Sequence, residues 1–184
     1  MKKGKALEYE VSRGFKALAA SSPSVFFRRW PDTATFKKIG QDAVAQKSPG
    51  DFLLVYASVP VMIECKETSQ KSIPLSNIKP HQVESLASFE KAGGFAFIFI
   101  SYRKSHGKAV TYCVRIGGFV KAAAESKKKS LRVWPVPGVF GENAAVVFTY
   151  KKNGSFPAAE FAMRLDKEVL GRECQLKNRI NGWH

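Results

Sequence analysis

The sequence predicts an α/β domain built on a central mixed β-sheet flanked by helices, and three observations carry that prediction. Two apolar runs of strand length, DFLLVYA (51–57) and VPVMIEC (59–65), are separated by little more than Ser58, as an antiparallel pair requires. A helical stretch and another apolar strand follow in turn, which makes a crossover with parallel pairing. That last strand, FAFIFISY (95–102), is dense enough in apolar residues to be covered on both faces.

Element by element, Leu7, Val11, Phe15 and Leu18 recur at near-helical spacing, and Ser21, Ser22 and Pro23 then break the pattern, so a first helix is expected over about 5–20. SVFFRRW (24–30) reads as a short strand, and the polar, lysine-bearing stretch 31–48 as an exposed excursion. Pro60 falls at the start of its strand, where a missing N–H does little harm. Pro80 opens a helix carrying Val83, Leu86 and Phe89, and Gly93-Gly94 supply its stop. AVTYCVRI (109–116) is a further strand and FVKAAAESKKK (119–129) a basic helix. After a Pro/Gly connection over 133–141, AAVVFTY (144–150) reads as a strand and 157–170 as an amphipathic helix with Phe161, Leu165 and Val169 on one face.

At 184 residues, 45% of them hydrophobic, 24% charged and with a mean hydropathy of −0.19, the chain suits a single globular domain over 1–184, with 136–184 as an extension. Thirty Lys and Arg against 15 Asp and Glu leave a net charge of +15, which makes nucleic acid the default partner. The charge is unevenly spread: 10 basic side chains face 4 acidic ones in residues 1–50, 4 face 5 in 51–100, and 9 face 2 in 101–150. An acid-rich centre between basic flanks suits carboxylates gathered for a task while the periphery grips phosphates. Cys65, Cys113 and Cys174 are too sparse for a disulfide framework or a zinc site. Glu8 and Glu10 interrupt any signal-peptide core, and no run approaches the ~18 apolar residues of a membrane span, so a cytoplasmic, reduced protein is expected.

Chemistry gathers at the end of VPVMIECK. Strand alternation sends Glu64 and Lys66 to one face and Ile63 and Cys65 to the other. In a short hairpin the start of the first strand lies beside the end of the second, which brings Asp51 close to Glu64. Such a trio can be ordinary strand-end charges with a surface salt bridge. Carboxylates clustered beside buried strands, however, repel one another and resist desolvation, and a hard divalent cation with oxygen ligands is the countercharge that answers both. A metal there polarises a phosphodiester and activates water, with Lys66 orienting the nucleophile, which describes a metal-dependent nuclease.

SPGDFLLVY followed by VMIECKETSQKS resembles the PD-(D/E)XK nuclease signature, with Asp51, Glu64 and Lys66 at the motif positions and Gly50 in place of the usual hydrophobic or proline neighbour. The longer run ECKETSQKSIPLSNIKPHQVESLASFEKAGGFAFIFI is similar to the RecU-type Holliday junction resolvases: Glu64, Lys66, Glu67, Thr68, Pro74, Leu75, Asn77, His81 and Gln82 match in order. GKALEYEV also resembles that family's first helix, with Glu8 at its acidic position, and similarity continues loosely to about Trp134. The resemblance implies a restriction-endonuclease-like core in which Asp51, Glu64, the Cys65 backbone carbonyl and Glu8 bind Mg²⁺, with Mn²⁺ able to substitute. It also implies that Lys66 assists the attacking water and that Gln82, near a helix N-terminus, reaches a phosphate or a metal-bound water.

Two departures from the family stand out. Its long stalk before the Asp motif is here only the short 31–48 excursion, with Lys37 and Lys38 at its tip and Arg28 and Arg29 at its base, and the last ~50 residues have no counterpart. Arg28, Arg29, Lys37, Lys38, Lys71, Lys127, Lys128 and Lys129 are the expected DNA-binding residues. The expected function is endonucleolytic resolution of four-way DNA junctions by paired symmetric nicks. A homodimer is expected because a two-fold substrate is naturally met by a two-fold protein. The alternatives are a nuclease acting on other branched or duplex DNA and a non-catalytic DNA-binding recombination scaffold.

Overall fold

The computed structural model describes residues 5–30, 48–103, 107–133 and 145–167. Leu7, Val11 and Phe15, one helical turn apart, bury one face of α1 (Ala6–Ser21), which leads into β1 (Val25–Arg29). β2 (Phe52–Tyr56) and β3 (Val59–Thr68) form the expected hairpin, with Tyr56 opposite Val59 and Phe52 opposite Ile63. β4 (Ser72–Pro74) and a 3₁₀ turn at Leu75–Asn77 lead into α2 (Pro80–Lys91), whose end is followed by Gly93 at φ +100°. Then come β5 (Phe95–Tyr102), β6 (Lys108–Arg115), α3 (Ile116–Glu125), β7 (Ser130–Arg132), β8 (Ala145–Lys151) and a helix, α4, over 158–167.

Six strands make one sheet in the order β1-β2-β3-β5-β6-β8, and β4 pairs with β7 in a separate two-stranded ribbon. Only β3 and β5 pair in parallel; the other neighbours are antiparallel, so the sheet is mixed. All eight residues of β5 are buried, as their apolar density predicts. On one face, Leu7, Val11 and Phe15 of α1 and Phe161 and Leu165 of α4 pack on Ile63, Cys65, Phe97 and Phe99. On the other, Leu86 of α2, Phe119 of α3, and Ile73 and Leu131 of the ribbon pack on Met62, Ile98 and Ile100. The site-bearing strand β3 is thus central and clad on both sides.

Two sequence expectations need correcting. α3 ends at Glu125, short of Lys127–Lys129, because the Ser126 hydroxyl bonds the Lys128 and Ser130 carbonyls and offers the chain a turn in place of another helical one. β4 and β7 were not expected: each is three residues long with a single buried side chain, Ile73 or Leu131, and so lacks an apolar run. The excursion at 31–47, with Lys37 and Lys38, lies outside the described residues, as do 134–144 and 168–184. The described part of the C-terminal segment supplies an edge strand and a helix that walls one face of the sheet.

Candidate active site

Asp51 continues the line of β2: its N–H donates to the Ile63 carbonyl at 2.9 Å, and its own carbonyl accepts from Trp30 N–H at 2.9 Å. With both backbone groups held, the side chain has one direction to take, and Oδ2 accepts the Cys65 N–H at 2.7 Å. Gly50, where the family motif has a larger residue, is buried here, and a Cβ would lie 3.2 Å from both the Ile63 carbonyl oxygen and Met62 Cγ.

Glu64 is 1% exposed. Its Oε1 receives Lys66 Nζ at 2.6 Å and Gln82 Nε2 at 2.7 Å, so Gln82, expected on a phosphate or a metal-bound water, bonds Glu64 here. The Gln82 amide is oriented by its place in the first turn of α2: Oε1 accepts the Lys79 N–H at 3.0 Å, which leaves the NH₂ aimed at Glu64. Glu8 lines the same cleft, with Oε2 accepting from Arg29 at 2.6 Å. The cleft, about 410 Å³, also takes in Asn77, Lys79 and Glu67. Asn77 and Glu67 stand out in the sequence only as motif matches, and Lys79 not at all, although its place just before Pro80 puts it at the mouth of α2.

The electrostatics follow from this crowding. Burial, aided by repulsion from Glu64, lifts the Asp51 carboxyl from 3.8 to about 6, against the Cys65 N–H, Lys66 and Arg29, which pull it down. Burial raises Glu64 as well, opposed by Lys66 and Gln82. The Cys65 thiol, buried on the α1 side of the sheet, is pushed well up and is a poor nucleophile.

The donor set fits a hard cation. Half-buried Asp51 and buried Glu64 repel one another, and Glu64 Oε2 is buried without a hydrogen-bond partner among the described residues, an acceptor left over in a low-dielectric cleft. No group of three or more His, Cys, Asp and Glu side chains among the described residues forms a cage by itself. A cation held by Asp51 and Glu64 would therefore take its other ligands from backbone oxygen, water, substrate or a Glu8 drawn away from Arg29.

The model of the family Recombination protein U, RecU, matches residues 3–138. The chain belongs to the RecU family. The match takes in Glu8, Asp51, Glu64, Lys66 and Gln82 and stops short of β8 and α4. Among relatives, the Holliday junction resolvase RecU of Shouchella clausii (strain KSM-K16) is 41% identical over 61 residues, 33% of this chain and 30% of that protein. The Holliday junction resolvase RecU of Mycoplasmopsis pulmonis (strain UAB CTIP) is 31% identical over 96 residues, 48% of this chain and 61% of that protein. The alignments thus span less than two thirds of either relative. A solved structure of Hjc, a Holliday junction resolvase from Archaeoglobus fulgidus, aligns with a TM-score of 0.41 at 13% identity over 70% of this chain and 90% of that one.

Of the cations expected on DNA, those among the described residues of this RecU-family chain fall into two groups, one on the β4–β7 ribbon and one on β1. Lys71 and Lys127–Lys129, far apart in sequence, flank the same β4–β7 ribbon at its two ends: the Lys71 carbonyl accepts from Val133 N–H at 2.8 Å and the Lys129 carbonyl from Leu75 N–H at 3.0 Å. All four side chains are exposed, as is that of Arg132 on β7. Arg28 is exposed on β1, and Arg29 reaches Glu8. No helix among the described residues is long and apolar enough to cross a membrane.

Proposed function

We propose that the chain is a structure-selective, metal-dependent DNA endonuclease that resolves four-way (Holliday) junctions by paired symmetric nicks and acts as a homodimer in the cytoplasm. The observation that carries this reading is the pairing of half-buried Asp51 and buried Glu64, the latter with an orphaned oxygen, with a lysine at the end of a central strand in a RecU-family chain. Asp51 and Glu64 would hold Mg²⁺, or Mn²⁺ in its place, with the Cys65 carbonyl and Glu8 as the further ligands the family resemblance implies. When bound, the cation supplies neutralisation of phosphate charge and a lowered pKa for water.

The chain's own groups do the rest. Lys66 presents an ammonium to the cleft, where it orients the attacking water and meets charge developing on the phosphate. Gln82 keeps Glu64 in one rotamer and offers a neutral amide donor beside it. Asp51 is fixed by a peptide N–H, so the acids need little reorganisation when substrate enters. Hydrolysis that breaks one phosphodiester per protomer needs no covalent intermediate and leaves ligatable ends. Two protomers related by a two-fold axis meet the symmetry of the junction, which allows paired cuts.

The test is cleavage of a synthetic four-way junction against matched duplex and single strand, with Mg²⁺, Mn²⁺ or EDTA. Paired symmetric nicks that vanish in EDTA and in Asp51→Asn are expected. Equal cutting of duplex would make this a general nuclease, and binding without cutting in either metal would leave a recombination scaffold.

A further inference from the structure

A second concavity, about 440 Å³, runs along the outer face of α1 and is lined by Lys5, Tyr9, Ser12, Arg13, Lys16 and Arg29. Glu8 lines it too and so joins it to the catalytic cleft, and Arg29 reaches across the join to Glu8 Oε2 at 2.6 Å. Lys5, Tyr9, Arg13 and Lys16 follow one another at intervals of four, four and three residues, with Ser12 beside Arg13, which is one stripe of a helix. Eleven residues from Lys5 to Lys16 span about 16 Å. That is the rise of roughly five phosphates on one duplex strand at about 3.4 Å each.

The stripe is more than a solvated charged face. Tyr9 is 53% exposed at its centre, with the Arg13 guanidinium 5.6 Å from the ring centroid. Arg13 is itself fixed by donating to the Asn153 carbonyl at 3.1 Å. An aromatic ring held open among cations offers stacking as well as charge, the combination that suits nucleotides. Position adds to this. α1 lies on the Ile63–Cys65 face of the sheet, whereas the basic β4–β7 ribbon lies on the Met62–Ile98 face. The cleft takes Glu8 from α1 and Asn77 and Lys79 from the segment that follows β4, so it adjoins both elements.

We propose that the α1 groove seats the sugar-phosphate backbone of a DNA arm leaving the cleft, with Arg13 and Lys16 on phosphates and Tyr9 against an exposed nucleotide. This deepens the nuclease reading and rests on it.

The experiment is fluorescence anisotropy of a labelled four-way junction in EDTA over 50–200 mM KCl, using the full chain, Arg13→Ala/Lys16→Ala, Lys16→Glu and Tyr9→Ala. The control is Lys91→Ala/Lys121→Ala, which removes two exposed charges from α2 and α3. Loss of two phosphate contacts makes the slope of log affinity against log salt shallower by about 2, at roughly 0.9 per contact. Lys16→Glu, at an exposed site, moves the slope in the same direction with its melting temperature unchanged. Tyr9→Ala weakens binding at constant slope. Slopes that match the native chain, or changes no larger than the control's, would overturn the proposal. Single-turnover cleavage by the native chain in Mg²⁺ is scored separately. No cleavage with a shifted slope removes the nuclease reading and leaves the groove, whereas cleavage with an unshifted slope does the reverse.

Discussion

Asp51 Oδ2 accepts the backbone N–H of Cys65 at 2.7 Å, so the peptide that follows Glu64 also pins the acid opposite it. The two carboxylates are therefore held together before any cation arrives, and the cost appears as the rise of Asp51 from 3.8 to about 6.

This rise fixes a pH dependence for the metal-free protein. Between pH 3.8 and about 6 the folded chain keeps a proton on Asp51 that the unfolded chain releases. Stability from this group is full below that window and is lost as pH rises through it, about 3 kcal/mol in all. Asp51→Asn has no such loss, and its amide oxygen still accepts the Cys65 N–H. Melting in EDTA from pH 4 to 7 should show the native chain falling relative to the variant. Adding Mg²⁺ at pH 7 should raise the native melting temperature and leave that of Asp51→Asn unmoved.

Lys66 and Gln82 share one oxygen of Glu64 and do different work. Lys66→Ala removes the ammonium bonded to Glu64 and is expected to slow single-turnover junction cleavage about 10²–10³-fold, the range for one lost donor at a developing charge. Junction affinity measured in EDTA should change far less. Gln82→Ala leaves the lysine and should cost about tenfold in rate, with more Mg²⁺ needed for half-maximal activity, because Glu64 loses its neutral anchor. Equal losses for the two variants would contradict this division.

Much of this site is legible in the sequence because it rests on local rules. A two-residue hairpin connection dictates that Asp51 faces Glu64, and strand alternation dictates that Lys66 joins it while Cys65 faces α1. The helix opened by Pro80 carries Gln82 to the cleft by the same kind of reasoning. What escapes depends on pairing between distant segments. β4 and β7 are too short to have a period, so the placing of Lys71 and Lys127–Lys129 on one ribbon is invisible before folding. Glu8 and Glu10 look alike as acids on one helix, yet the first lines the cleft and the second is 0% exposed. The clue was helical phase: Glu10 lies three residues past Leu7 and one before Val11, on the apolar side, where an acid demands a buried partner. That partner, Arg103, is 93 residues away.

Glu10 makes a strong stability prediction. Its carboxylate receives both terminal nitrogens of Arg103, at 2.7 and 2.8 Å, the Tyr150 hydroxyl at 3.1 Å and the Asn153 N–H at 2.7 Å. The network ties α1 to β5, β8 and the turn after β8. Glu10→Ala leaves the Arg103 guanidinium, 11% exposed, without this partner and should cost about 3–5 kcal/mol by urea unfolding. Arg103→Ala should cost a similar amount, and the double variant less than the sum, because the second change removes the group the first left unpaired. Additive losses would mean that the two residues act independently.

The β2–β3 turn offers the opposite case, a place where the fold carries removable strain. Ala57 and Ser58 both adopt left-handed backbone angles, with φ of +46° and +67°, as a two-residue hairpin turn demands. Neither residue favours that region, and each L-residue held there costs roughly 1–2 kcal/mol. Asn at the first position and Gly at the second are the pair such turns prefer. Ala57→Asn/Ser58→Gly is therefore expected to stabilise the chain by about 1–2 kcal/mol, read as a higher urea midpoint at unchanged slope. The turn lies at the far end of the hairpin from Asp51 and Glu64, so cleavage per folded molecule should not change. A lower midpoint would mean that a contact of the native side chains at the turn outweighs the relief of backbone strain.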